Sequence, residues 1–263
     1  MKYIFPIAGC MALFLSSCTK VIEVNLNDAA PQIVIEGIVT NLDTPYQVKI
    51  TKTVNFDDNN IFPQVTGAIV KITDSTTGQI DLLLETSPGI YTTQKLPQGV
   101  PGHTYQLFIS TGTDSYTASS TMPMPVNIDS VTFEHNTRLK KTTINPVVHF
   151  ADPLGINNYY TFWEYLDGVE LKQTFVFDDR LSDGRDIAQQ LFNDSSYVAV
   201  GNSLTVQINC VDKKVWTYFS TLGSSSSSNI FHSTAPSNPV SNTSGSLGYF
   251  SAQAIQTKTV VVY

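Results

Sequence analysis

The sequence predicts a mainly β protein built from two successive β-rich domains, the second carrying one short helix. Three observations lead there. Apolar residues recur with a period of two in short runs, the pattern of strands buried on one face. Turn-forming residues separate those runs at close intervals. The composition, with 12 Tyr, 14 Phe and only 14% charged residues, favours strands over helices.

Ile33, Ile35 and Ile38 mark the first run, and Tyr46, Val48 and Ile50 the second. Ala68, Val70 and Ile72 repeat the pattern, followed by Leu82 and Leu84, by Tyr105, Leu107 and Ile109, and by Tyr116 and Ala118. Between them stand Asp43-Thr44-Pro45, Asp74 to Gly78, Ser87-Pro88-Gly89, Pro97 to Gly102 and Gly112-Thr113-Asp114, all turn chemistry. About seven short strands at this spacing over residues 31–122 predict an immunoglobulin-like sandwich. Met122-Pro123-Met124-Pro125 then holds the chain extended and is expected to mark a domain boundary.

The second domain is expected over residues 126–263. Its strand candidates are Ile128 to Phe133, Val147 to Phe150, Tyr159 to Leu166, Leu171 to Phe177, Tyr197 to Val200 and Leu204 to Cys210. Val211, Val215, Tyr218, Phe219 and Leu222 form an apolar stripe at helical spacing, with Asp212 suited to the positive N-terminal end and Gly223 to the stop. Ser224 to Ser228 is low-complexity chain. Leu247 to Ile255 and Thr259 to Tyr263 are expected as two closing strands.

The first residues carry an address. One lysine precedes the apolar run Tyr3 to Leu15, too short to cross a bilayer as a helix, which needs roughly 20 residues. It fits the apolar core of a secretory signal. Leu15-Ser16-Ser17-Cys18 follows, and a leucine, two small residues and a cysteine look like a bacterial lipobox. The expectation is a signal peptide over residues 1–17, a lipid on the Cys18 thiol, and a polar tether over residues 18–30. More than one acyl chain anchors stably where a single chain does not.

Charge and cysteine content agree with export. The chain holds 15 basic and 22 acidic residues; removing residues 1–17 takes Lys2 and no acid, leaving 14 against 22, or −8. No basic stretch is present, so nucleic-acid binding is excluded. Cys10 leaves with the signal and Cys18 is acylated, so Cys210 has no disulfide partner within the mature chain. It reads as a small buried hydrophobe.

Catalytic motifs are not legible. His103, His135, His149 and His232 show no metal-ligand spacing. Gly245-Ser246-Leu247-Gly248 lacks the pattern of a nucleophile elbow and reads as a turn. No metal ligand set and no cofactor is expected. The acidic segment Asp178, Asp179, Arg180 to Asp183 and Asp186 offers hard oxygens. Counted from Asp179, however, Leu181 falls where an EF-hand loop needs an oxygen, and no glutamate closes the loop. The segment therefore reads as a solvated hairpin loop, with Asp178, Asp179 and Asp183 kept as binding candidates. Tyr159, Tyr160 and Trp163 join them: this strand has aromatics on both faces, and one face can serve as a partner surface or as core.

Asp152-Pro153-Leu154-Gly155-Ile156-Asn157-Asn158-Tyr159-Tyr160, with Pro31-Gln32-Ile33-Val34-Ile35-Glu36-Gly37, resembles a family of Bacteroidota envelope lipoproteins known as domain of unknown function 4249. Ser119 to Pro123, Phe177-Asp178-Asp179 through Asp183-Gly184, Tyr218 to Leu222, Pro236 to Asn242 and Gly245 through Phe250 match as well. The resemblance implies a lipid-anchored outer-membrane protein of the kind encoded beside TonB-dependent receptors, as nutrient-uptake accessory lipoproteins are. It implies no catalytic residues. The leading expectation is a non-enzymatic accessory or binding lipoprotein. The alternatives are a surface hydrolase or glycan-active enzyme using the Asp178–Asp186 carboxylates, and a structural or adhesive envelope lipoprotein.

Overall fold

The computed structural model describes residues 30–55, 59–95, 97–138, 141–192, 198–226 and 238–263. The expected signal segment and Cys18 lie outside the described residues. The period-two runs of the first half form β1 (Ile33–Thr40), β2 (Gln47–Lys52), β3 (Ile69–Asp74), β4 (Ile80–Ser87), β6 (Thr104–Ser110) and β7 (Ser115–Thr121). A strand not expected from the sequence, β5 (Ile90–Thr93), pairs with β2 and buries Tyr91 opposite Val48.

In β4 the buried face is the opposite of the expected one. Leu82 and Leu84 are 57% and 49% exposed, whereas Leu83 is buried opposite Val70. Three consecutive leucines carry no alternation, so only the pairing with β3 selects the inward one.

The second half forms β8 (Ser130–Arg138), β9 (Lys141–Ala151), β10 (Tyr159–Leu166), β11 (Val169–Asp178), β12 (Asp186–Gln190), β13 (Ser203–Cys210), α1 (Lys213–Ser226) and β14 (Leu247–Val261). Asp212 caps α1: its Oδ1 accepts the Lys214 and Val215 amides, while Oδ2 accepts the Ser120 hydroxyl and the Thr121 amide of β7. The helix runs past Gly223. The strand expected at 197–200 is not formed by its described residues, and β12 begins within the acidic segment instead. The two expected closing strands are one, β14.

Eleven strands make a continuous sheet in the order β11-β10-β13-β14-β1-β2-β5-β4-β3-β6-β7, and β12-β9-β8 make a smaller one. The strand β14 joins both halves of the protein. Leu247 to Gln253 pair in parallel with β1, and Ala254 to Val261 pair antiparallel with β13. The far edge of the large sheet, β7, returns to this strand and to the residues just before it. Ser120 Oγ accepts the Ala252 amide, Thr117 O accepts the Ser244 amide, and Ala118 bridges Thr243.

The expected division at residues 122–126 is therefore not where the molecule divides: Pro31–Tyr263 is one compact unit. The physical reason is that the N-terminal sandwich takes its closing strand from the C-terminus. A single hydrophobic cluster runs from Ile35 and Val48 through Phe250 to Phe150 and Phe162. In the C-terminal half the small sheet covers β10 and β11 through contacts of Phe150 with Tyr160, Phe162 and Phe177. On the opposite face of β10 and β14, α1 packs Val215 and Phe219 against Tyr249.

Cys210 is buried, as expected, and burial pushes its thiol up to about 12. The thiolate is the reactive form. At pH 8, iodoacetamide is expected to leave Cys210 of a delipidated chain unlabelled in buffer and to alkylate it in guanidinium, read by mass spectrometry. Rapid labelling of the folded chain would contradict this burial.

Candidate functional site

The strand β10 follows its alternation strictly. Tyr160 and Phe162 are fully buried in the main core. Tyr159 packs on Trp216 of α1, and Trp163 lies in the same helix-covered cluster. The helix thus occupies the aromatic face that was expected as a possible partner surface. Tyr159, Tyr160 and Trp163 serve packing, and the reason is tertiary: α1 returns over the sheet after β13.

The acidic candidates separate into two kinds. Asp178 holds Arg180 in a two-pronged ion pair at 2.6 and 3.0 Å, with Arg180 over the Trp216 ring. Asp179 is only 1% exposed, and its Oδ2 accepts the Asn158 amide at 2.7 Å. Asp183 is exposed and accepts the Gly155 amide at 2.7 Å.

A residue not singled out from the sequence as a ligand completes the group. Asp152, 6% exposed, accepts the Tyr160 hydroxyl at 2.5 Å and the Gly184 amide at 3.1 Å. Carboxylate oxygens of Asp152, Asp179 and Asp183 lie within 4.8 Å of one another. Loop 152–158 and loop 179–185 are thereby laced together by backbone amides donated to carboxylates. Asp152 was legible only as part of an Asp-Pro-x-Gly turn, because its partners lie 27 and 31 positions further along the chain (179 − 152 and 183 − 152).

Burial drives the Asp179 carboxyl above the usual range; the Asn158 amide pulls the other way, and the Asp152 and Asp183 charges raise it further. Burial first, then the Asp152 hydrogen bond, holds the Tyr160 phenol far above its ordinary value, so the phenol is the donor. Among the described residues, Asp152, Asp179 and Asp183 are the group able to hold a metal ion.

The described histidines stand apart from this group. His103 Nδ1 meets Asp74 Oδ2 at 2.8 Å, His149 Nε2 meets Thr132 Oγ1 at 2.8 Å, and His135 Nε2 donates to Tyr263 O.

A second feature was invisible in the sequence. A cleft of about 850 Å³ opens between β3, β6, β7, α1 and residues 240–244. Thr73, Thr117, Ser119, Thr217 and Asn242 line it, with Lys214 at the helix and Lys71 over the Phe108 ring at 5.0 Å. These residues come from five separate segments, and only the return of β14 beside β7 assembles them.

A protein-family model described as "Domain of unknown function (DUF4249)" matches residues 19–259. Among solved structures, a two fibronectin type-III domain segment from chicken tenascin is similar over 70% of this chain and 92% of that chain. The identity is 11% and the TM-score 0.22, too low to carry an argument about this chain. Comparison with curated proteins finds no match.

Proposed function

The chain belongs to the family "Domain of unknown function (DUF4249)", and from that premise we propose that it is a non-enzymatic accessory lipoprotein of a Bacteroidota outer membrane. In this reading lipid on Cys18 anchors it, and it binds a TonB-dependent transporter. The sequence Leu15-Ser16-Ser17-Cys18 supports the anchor. The observation that carries the binding role is the cleft beside β7. Its hydroxyls, amides and two lysines suit hydrogen bonding to a polar segment of a partner, and such open concave surfaces on rigid strands are natural recognition sites.

Crosslinking in intact cells, purification through a C-terminal tag and mass spectrometry test the proposal. The expected result is one TonB-dependent receptor in near-equal amount. Thr73→Trp, which fills the cleft from β3, is expected to lower that yield several-fold while the purified protein keeps its melting temperature. Recovery of the lipidated chain alone, with crosslinkers of several lengths, would overturn the transporter reading.

A further inference from the structure

We propose that Asp152, Asp179 and Asp183, together with the side-chain oxygen of Asn158, form a calcium site that clamps loop 152–158 to loop 179–185. This goes beyond the accessory role and does not depend on it.

The first support is charge. Two of the three carboxylates are nearly inaccessible, and among the described residues none of the three makes an ion pair. The arginine of the same loop, Arg180, is committed to Asp178. Uncompensated buried carboxylates are costly, and a cation or a proton must neutralise them.

The second support is independent of the acids. Asn158 is 8% exposed, and its buried Oδ1 has no hydrogen-bond partner among the described residues. Buried polar atoms are rarely left so, and an ion is one of the few explanations. Asn158 O accepts the Asp179 amide at 3.3 Å, which carries the β10–β11 pairing one step past the Tyr159–Asp178 pair. Side chains alternate along a strand and cross-strand partners share a face. The Asn158 side chain therefore leaves the backbone on the face of Asp179 and Tyr160, where Tyr160 meets Asp152.

The oxygen spacing admits calcium. The ion takes carboxylate and amide oxygens at about 2.4 Å, so oxygens on opposite sides of it stand about 4.8 Å apart. The carboxylate oxygens here lie within 4.8 Å of one another. Each carboxylate has lone pairs left over from the amides it accepts. Magnesium demands a stricter octahedron and holds its waters more tightly, whereas calcium accepts an irregular set of carboxylate and amide oxygens.

Equilibrium dialysis of the delipidated full mature chain against calcium chloride, with melting curves in calcium and in chelator, tests the proposal. The expected result is one calcium per chain with a dissociation constant no weaker than about 1 mM, and a melting point several degrees higher with calcium. Asp183→Asn keeps an oxygen for the Gly155 amide and is exposed, so it is expected to fold as the parent does in chelator. It should weaken calcium binding roughly tenfold or more. Asn158→Ala supplies the second variant and is expected to weaken calcium binding without loss of the loop hydrogen bonds made by its backbone. A folded parent chain that takes up no calcium at about 10 mM would overturn the proposal. So would parent-like calcium affinity in both variants.

Discussion

A fragment of residues 31–122, the whole of the expected N-terminal sandwich, is expected not to fold by itself. All seven of its strands would be present, but the strand that closes it, β14, would be missing. In the intact chain β1 pairs with Leu247 to Gln253 along seven positions, and β7 rests on the same segment. Without β14, β1 becomes an open edge of unpaired backbone groups, a template for aggregation. The fragment also loses Phe250, fully buried against Gly37, where a Cβ would meet the ring at 2.9 Å. Burying one such side chain is worth about 1.5–3 kcal/mol, against a total stability of about 5–15 kcal/mol for a whole domain. Circular dichroism and proton NMR are expected to show poor dispersion and no cooperative melt. Adding a peptide covering residues 243–261 is expected to restore part of the signal. A cooperative melt of the fragment alone would show that the sandwich is self-sufficient.

Gly248→Ala is expected to cost about 4 kcal/mol or more, in the range reserved for severe point mutations. Gly248 has φ +93, in the left-handed region, and a Cβ there would lie 2.0 Å from Ile35 O. That oxygen is backbone of β1, so relief requires the two paired strands to separate. The chain can adopt this close approach only with glycine. Gly245→Ala is the matched comparison: φ is +73, but nothing lies within 4 Å of its Cβ. Its cost is the conformational one, about 1–2 kcal/mol. Urea denaturation of the two variants separates the effects. Equal losses would mean that the β1–β14 contact yields easily and that its close approach is not what demands glycine.

Both expectations concern the same strand, β14, whose place in the fold is not encoded locally. Its residues were legible as apolar β chain, yet they were read as the ends of a second domain. A period of two reports that a segment is a strand and which faces alternate; it carries nothing about the strand beside it. A parallel partner more than 200 positions away leaves no turn between the two to announce the pairing, since parallel strands need a long crossover. Hence the boundary at Met122 to Pro125 followed from local proline chemistry, while the true compact unit is Pro31–Tyr263.

The candidate site divides in the same way. Asp179 and Asp183 were singled out by their density in one loop, and Asp212 by its place before an apolar helical stripe, because those signals are local. Asp152 lay in a different turn, and nothing in its neighbourhood distinguished it from a turn-forming aspartate. The aromatic strand Tyr159 to Leu166 carries aromatics on both faces, and its sequence leaves one face open as partner surface or core. Helix α1 decides that question by covering Tyr159 and Trp163.

What the sequence by itself determined is therefore the β class, the position of most strands, the single described helix with its cap, and the buried state of Cys210. These follow from residue propensity and periodicity over a few positions. What only the tertiary structure decided is the sharing of β14 between two halves, the inward choice of Leu83, the cleft beside β7 and the meeting of Asp152 with Asp179 and Asp183. Each of these depends on which distant segments lie next to one another. That choice is made by burial and hydrogen-bond pairing summed over the whole chain, and no local pattern records it.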